Sequence, residues 1–127
     1  MRRTIAVAIG KGGVGKTTSA VNLAACLAIA EKKTLLIDFD PASSCSEYLG
    51  FTIDKIDSGI FKVFSFAKSI SSVIHKTDLE YLDFIPSDIS SPDTEERLAR
   101  LTNYVYLFRN ILNSPELHSY EFIIRDF

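Results

Sequence analysis

Eight residues near the amino terminus have the types and spacing of a phosphate-binding loop. The segment Gly10-Lys-Gly-Gly-Val-Gly-Lys-Thr17 follows the pattern of a glycine, four residues, then glycine, lysine and threonine. Glycines allow successive backbone N–H groups to turn toward phosphate oxygens without a Cβ in the way. Lys16 would neutralise the β- and γ-phosphates, and the Thr17 hydroxyl would coordinate Mg²⁺. We therefore predict a nucleotide site whose phosphate contacts come from Gly12, Gly13, Val14, Gly15, Lys16, Thr17 and Thr18.

The segments on either side of this loop are a predicted strand and a predicted helix. Thr4–Ile9 is a short apolar run, and Lys16–Ala30 is rich in Ala and Leu and contains no Gly or Pro. Thr34–Ile37 is a second apolar run, so the order predicts a strand–helix–strand unit within a parallel sheet. The alternative interpretation is a glycine-rich turn with a chance Lys-Thr pair, and the strand–helix context argues against it.

Acidic residues follow two of the predicted strands. The second strand runs into Asp38-Phe39-Asp40-Pro41, at the carboxyl end of a strand, where ligands of open α/β sheets collect. Asp40 has an alternative interpretation as a turn residue that caps local N–H groups before a proline. The last predicted strand, Tyr120–Ile124, is followed by Asp126. These carboxylates are therefore the second group of candidate site residues.

The remainder of the chain continues the alternation of helices and strands. Ser58–Ile74 carries apolar residues at spacings of three and four, which predicts a helix packed on the sheet. Leu79–Ile85 predicts a strand that Pro86 stops. Asp93 precedes acidic residues and a long amphipathic pattern that ends at Leu112, which predicts a capped helix. The predicted fold class is therefore α/β with a mainly parallel sheet.

Composition limits the classes of protein that remain. The 127 residues include 14 basic and 16 acidic side chains, and the resulting net charge of −2 argues against a basic nucleic-acid-binding platform. Hydrophobic residues make up 46% of the chain, which excludes predominant disorder. The longest nearly apolar stretch, Ala20–Ala30, falls well short of the ~20 residues that a membrane span needs.

The two cysteines are too few for a disulfide framework or a cysteine metal cluster. We expect Cys26 to be a small core residue of the first helix. We expect Cys45 to be an ordinary loop residue, with a reactive thiol as the alternative. This cysteine usage favours a cytoplasmic protein.

The two motifs together resemble those of the ParA/MinD ATPases. The segment Lys11-Gly-Gly-Val-Gly-Lys-Thr-Thr18 is similar to their deviant Walker A loop, and Ile37-Asp-Phe-Asp-Pro41 is similar to their second motif. The proline that closes the second motif is closer to the ParA/Soj partition proteins than to MinD. The last strand resembles their Walker B strand, and the likeness extends over essentially the whole chain. It implies a three-layer P-loop NTPase fold, incomplete at its C-terminal side, with residues 1–127 as the N-terminal portion of a single ATPase domain.

The resemblance also implies an activity and roles for individual residues. Proteins of this family hydrolyse ATP to ADP and phosphate with Mg²⁺, and they form homodimers on binding ATP. By matching motif positions, Lys11 would reach the partner subunit's nucleotide and Asp40 would orient the attacking water. The expected catalytic residues are thus Lys11, Lys16 and Asp40. The residues expected to hold the magnesium shell are Thr17, Asp38 and Asp126.

Partners and cargo also come from the resemblance alone. It implies a ParB-like activator protein, non-specific DNA binding by the ATP-bound dimer, and a role in partition of chromosomes, plasmids or other cargo. Two alternatives are a nucleotide-binding regulator without turnover and a small-molecule kinase. The sequence departs from the family pattern at Arg125, a position that is usually apolar, and at Ala42-Ser43-Ser44, where partition proteins usually have Gln-Gly-Asn.

Overall fold

A five-stranded sheet forms the centre of the structure. Its strands are β1 (Arg3–Val7), β2 (Thr34–Asp38), β3 (His75–Lys76), β4 (Leu82–Ile85) and β5 (Phe122–Asp126). The structure is a computed structural model, in which the residues described are 3–7, 14–39, 45, 49–50, 59–64, 68–88 and 109–126. Within residues 3–7 and 14–18 the description is of the backbone.

The strands lie in the order β1-β5-β2-β4-β3. The pairs β1·β5, β5·β2 and β2·β4 are parallel, and β3 runs antiparallel to β4 at one edge. Parallel neighbours require crossover connections, which carry helices over the faces of the sheet. The predicted α/β class with a mainly parallel sheet is therefore confirmed.

Helices cover both faces of this sheet. The long helix α1 (Val14–Ile29) follows β1, and the short helix α2 (Ile60–Phe64) follows β2. Two 3₁₀ helices occupy Ile70–Val73 and Pro115–Leu117, and residues 109–112 are helical. Among the described residues, no helix has both the length and the apolar character needed to cross a membrane.

The hydrophobic core consists of two clusters, one on each face of the sheet. Because side chains alternate along a strand, Leu36 of β2 packs in one cluster while Leu35 and Ile37 pack in the other. The Leu36 cluster includes the buried face of α1, namely Ala20, Val21, Ala24 and Ala28. The opposite cluster includes α2 and both 3₁₀ helices. These two layers fix the position of β2 and β5 between them.

Small side chains set the contact between α1 and the sheet. Ala20, Ala24 and Ala28 recur every four residues and are almost fully buried, so they line one stripe of the helix. Cys26 lies two residues past Ala24, on a different side of the helix, and it is exposed. The expectation that Cys26 is a core residue is therefore wrong.

In its described residues, 59–64 and 68–74, the segment predicted as one helix over Ser58–Ile74 contains two separate short helices, α2 and the 3₁₀ helix Ile70–Val73. Ser69, just before the second of them, has φ −77° and ψ 157°, which is extended backbone rather than helix. The apolar spacing is still satisfied, because Ile60, Val63, Ile70 and Val73 are all buried in the same cluster. The two-residue strand β3 that follows was not predicted from the sequence. Of the predicted helix after Asp93, residues 93–108 lie outside the described part of the chain.

Candidate functional site

The candidate site lies at the carboxyl edge of the parallel strands. Asp126 is the last residue of β5, and its Cα partners are Val7 of β1 on one side and Asp38 of β2 on the other. Three strands therefore end in one row, with two acidic residues side by side. Both carboxylates are fully buried. Two neighbouring negative charges out of contact with water are costly unless a positive charge compensates them.

Helix α1 begins at the same edge. The strands β1 and β2 are parallel, so the helix between them must run back across the sheet, from the carboxyl edge to the amino edge. Its first residue, Val14, therefore lies near the row that ends in Asp38 and Asp126. The unpaired N–H groups and the positive end of the helix dipole at this point attract anions.

The predicted phosphate-binding residues divide into two groups. Val14, Gly15, Lys16, Thr17 and Thr18 lie in the first turns of α1, which begins two residues before the predicted start at Lys16. Lys11, Gly12, Gly13 and Asp40 lie outside the described residues. The roles proposed for both groups stay predictions.

The chain leaving β2 is held against β5 beyond the last paired residue. The N–H of Phe39 donates a hydrogen bond to the carbonyl oxygen of Asp126, with an N···O distance of 2.8 Å. The Phe39 ring is buried, and its centroid lies 5.9 Å from that of Phe64 in α2. These contacts fix the position of the chain directly after Asp38, within the second motif.

A third side chain joins the two carboxylates. The thiol of Cys45 donates a hydrogen bond to Oδ2 of Asp126, with an S···O distance of 3.0 Å. Cys45 is fully buried, and the ligand atoms of Asp38, Cys45 and Asp126 all lie within 4.8 Å of one another. The prediction that Cys45 is an ordinary loop residue is wrong, because Cys45 is helical and fully buried against Asp126. Its only signal in the sequence is its position shortly after Asp38.

The chemistry of these donors fits a hard divalent cation. Mg²⁺ prefers carboxylate, carbonyl and water oxygens, and two adjacent carboxylates at a strand edge supply such oxygens. A thiol is a poor ligand for Mg²⁺, so Cys45 fits better as a hydrogen-bond donor to Asp126 than as a ligand. Asp38 and Asp126, both predicted from the sequence, are thus brought together in a setting that suits the predicted role.

A second polar cluster lies on β4 and the chain before β5, away from the acidic pair. The Tyr120 hydroxyl donates to Oδ2 of the buried Asp83 at 2.5 Å, and Lys33 Nζ lies 5.0 Å from the Tyr120 ring centroid. Burial raises the pKa of Tyr120 strongly, and the hydrogen bond to Asp83 and its charge raise it further. Since Tyr120 precedes β5, this cluster is on the amino-terminal side of the strand that Asp126 ends. This cluster therefore contributes to the stability of the fold and is not part of the candidate site.

Comparison with known proteins decides the family. A protein-family model described as an AAA domain (AAA_31) matches residues 2–127. The chain belongs to this AAA-domain family. The ParA and Soj proteins to which the chain is similar confirm its resemblance to the ParA/Soj-type ATPases.

Two curated relatives are similar to this AAA domain over nearly its whole length. The chromosome partitioning protein ParA of Myxococcus xanthus is 38% identical over 124 residues, which are 98% of this chain and 44% of that protein. The chromosome-partitioning ATPase Soj of Treponema pallidum is 37% identical over 127 residues, or 99% of this chain and 48% of that protein. The chain spans about half the length of the curated relatives it matches.

Solved structures confirm the P-loop NTPase fold of this AAA domain. Cobyrinic acid a,c-diamide synthase from Mycobacterium smegmatis, solved with a bound ATP analogue and magnesium, has a TM-score of 0.86 and 28% identity. The match covers 99% of this chain and 51% of that one. A plasmid partition protein from Borrelia burgdorferi has a TM-score of 0.83 and 30% identity, with 99% of this chain and 56% of that one covered.

Proposed function

We propose that this chain is the nucleotide-binding part of a ParA/Soj-type ATPase, which hydrolyses ATP with Mg²⁺ in the partition or positioning of cargo. The observation that carries the proposal is the buried pair of Asp38 and Asp126 in one row at the carboxyl edge of the sheet. The phosphate-loop sequence leads into α1 at that same edge. An anion-binding helix start beside two carboxylates suits a nucleotide phosphate chain with its cation.

Some of these residues would bind the phosphates and Mg²⁺, and others would position the reacting groups. The N–H groups at the start of α1 and the Lys16 side chain would bind the phosphates. Asp38 and Asp126, with Thr17, would hold Mg²⁺, which supplies charge neutralisation to the transferring phosphoryl group. Asp40 would orient the attacking water, and Lys11 would act on the nucleotide of a partner subunit. Phosphoryl transfer depends mainly on such positioning and electrostatics, which suits this set of residues.

The names of the most similar relatives described above favour a role in partition over the other functions that proteins of this fold have. The two proteins with 37–38% identity are named as a chromosome partitioning protein and a chromosome-partitioning ATPase, and the 30% identical structure is a plasmid partition protein. The diamide synthase has a slightly higher TM-score than the plasmid partition protein but is less similar in sequence, at 28% identity. From the resemblance to the ParA/Soj ATPases we infer that the protein forms an ATP-dependent homodimer and has a ParB-like activator and a DNA surface. We also propose that residues 1–127 are the N-terminal portion of a single ATPase domain.

Parallel measurements of nucleotide binding and phosphate release test this function. The proposal expects ATP to bind in the presence of Mg²⁺ and inorganic phosphate to be released from it. Asp40→Ala should retain binding and lose phosphate release. Binding without release by the unaltered chain would instead favour the nucleotide-binding regulator. Absence of binding would contradict both.

A further inference from the structure

The Cys45 thiol is placed to control the orientation of a site carboxylate. Its hydrogen bond to Oδ2 of Asp126 joins residues 81 positions apart and is completely buried. Cys45 is packed in the apolar cluster of Ala20, Ala24, Leu36 and Ile124. In such surroundings a hydrogen bond is stronger than in water, because no solvent competes for donor or acceptor.

We propose that Cys45 is a positioning residue for Asp126, and this inference rests on the proposed function. A carboxylate whose Oδ2 accepts a fixed hydrogen bond cannot rotate freely about its terminal bond, so the direction of Oδ1 is also set. Hydrogen bonds of this kind orient metal-binding carboxylates and change metal affinity, even though the donor does not touch the metal. The thiol of Cys45 would orient Asp126 toward the magnesium shell in this way.

The placement of Cys45 in the chain gives this contact a second consequence. Cys45 belongs to the segment that follows β2 and the second motif, whereas Asp126 belongs to β5. The carbonyl oxygen of Cys45 accepts a hydrogen bond from the N–H of Leu49, with an N···O distance of 3.1 Å, and Leu49 packs against the same apolar cluster. The segment after the second motif is therefore tied to Asp126 by a side chain, and not only by its connection to β2.

The test compares variants by the gain in ADP affinity that Mg²⁺ produces, which is the Kd in EDTA divided by the Kd in MgCl₂. Cys45→Ala removes the donor and should reduce this gain about fivefold, equivalent to ~1 kcal/mol for one hydrogen bond. Cys45→Ser keeps a donor of similar size and should stay within about twofold of the unaltered protein. Cys26→Ala removes the exposed cysteine and should change nothing. The Kd in EDTA should be the same for all four proteins, because the thiol acts through the cation.

A spectroscopic measurement covers the case in which Cys45→Ala does not fold. In a Cys26→Ser protein, Cys45 carries the only thiol, since the chain has two cysteines. Its S–H stretching band in the Raman spectrum should lie at the lowered frequency of a hydrogen-bonded thiol and should shift when Mg²⁺ and ADP are added. A band at the frequency of a free thiol, unchanged by Mg²⁺ and ADP, would overturn the proposal.

The outcomes separate this proposal from the proposed function. If the unaltered protein binds ADP more tightly with Mg²⁺ and Cys45→Ala keeps the full gain, the role of Cys45 is refuted and the nucleotide site stands. If the unaltered protein binds no nucleotide, the proposed function fails and the role of Cys45 fails with it. A fivefold loss in Cys45→Ala that Cys45→Ser restores supports the positioning role.

Discussion

Asp38 and Asp126 are direct Cα partners across the parallel strands β2 and β5, and both side chains are fully buried. One comes from a motif near the start of the chain and the other from its final strand. The register of the sheet, rather than proximity in sequence, makes them neighbours. Two carboxyl groups side by side at the edge of the sheet supply the oxygen ligands that a hard divalent cation prefers.

We predict that Asp126→Asn weakens the magnesium dependence of nucleotide binding without destabilising the fold. The gain in ADP affinity that Mg²⁺ produces should fall by roughly 10- to 100-fold, the range seen when residues that hold or orient a metal are altered. Thermal stability should change little, because Asn has nearly the same size and shape as Asp and keeps an oxygen that can accept the hydrogen bond of Cys45. Calorimetric titrations with and without Mg²⁺ measure the first effect, and thermal unfolding measures the second.

The exposed Asp78 provides a matched control for this change. Asp78→Asn removes the same charge from the surface and should leave both quantities unchanged. An Asp126→Asn protein with an undiminished magnesium gain would contradict the assignment of this carboxylate to the cation.

The two lysines of the phosphate loop should differ in what they affect. Lys16→Ala should abolish nucleotide binding, because it removes the charge nearest the β- and γ-phosphates. Lys11→Ala should bind ATP normally but should not dimerise with ATP, since that lysine is expected to act on a partner's nucleotide. Calorimetric titration with ATP distinguishes the two variants by binding, and size-exclusion chromatography with and without ATP shows whether Lys11→Ala dimerises. An ATP-dependent dimer of Lys11→Ala would count against this division of roles.

Gly59 lies where the backbone has no room for a side chain. A Cβ at this position would lie 2.1 Å from the carbonyl oxygen of Pro86, which accepts the hydrogen bond of the Ile60 N–H. Gly59→Ala should therefore destabilise the protein by about 3 kcal/mol, because backbone atoms must shift. Urea unfolding measures this loss.

Gly50 offers the contrasting control. Its φ of +79° disfavours other residues, but a Cβ there would meet no atom within 4 Å. Gly50→Ala should cost only about 1 kcal/mol, from backbone conformation alone. Equal losses for the two variants would refute the steric explanation for Gly59.

The contact between Tyr120 and Asp83 should make the free energy of unfolding decrease at alkaline pH. The pKa of Tyr120 is raised in the folded protein, above the value of about 10 of a tyrosine in water. The folded state thus holds the hydroxyl proton more tightly than the unfolded chain. This contribution is complete below pH ~10 and is lost as pH rises above it toward the pKa of the folded state.

Tyr120→Phe should separate this contribution from the rest. At neutral pH the variant should be less stable by about 1–3 kcal/mol, because the buried Asp83 loses a hydrogen-bond donor. Between pH 8 and pH 11 it should lose less stability than the unaltered protein. Urea unfolding at both pH values measures the difference, with Tyr81→Phe as the control at a half-buried tyrosine. If the unaltered protein and Tyr120→Phe lose the same stability between pH 8 and pH 11, Tyr120 is not the source of the pH dependence.

The sequence predicted the elements whose patterns are local and strong. The strands around Leu36, Phe84 and Ile123 were found from short apolar runs, and α1 was found from its composition and the absence of Gly and Pro. The last strand was predicted two residues early, as Tyr120–Ile124 instead of Phe122–Asp126. Its true bounds depend on pairing with β1 and β2, which a local pattern does not contain.

The sequence did not predict features that arise from tertiary contacts. The spacing of Ile60, Val63, Ile70 and Val73 fits one helix, yet Ser69 is extended and the four residues reach the same core from two short helices. For the site, the motifs indicated Asp38 and Asp126, but no pattern indicated that Cys45 would contact Asp126 from 81 positions away. Contacts of this range require the fold itself.

The central claim is that the start of α1 and the two carboxylates together bind a nucleotide with Mg²⁺. Isothermal titration calorimetry of ADP into the unaltered protein, with MgCl₂ and again with EDTA, tests this claim most directly. We predict saturable binding near one ADP per chain, tighter by at least tenfold with Mg²⁺ than with EDTA. Absence of binding under both conditions, or an ADP affinity that Mg²⁺ leaves unchanged, would contradict it.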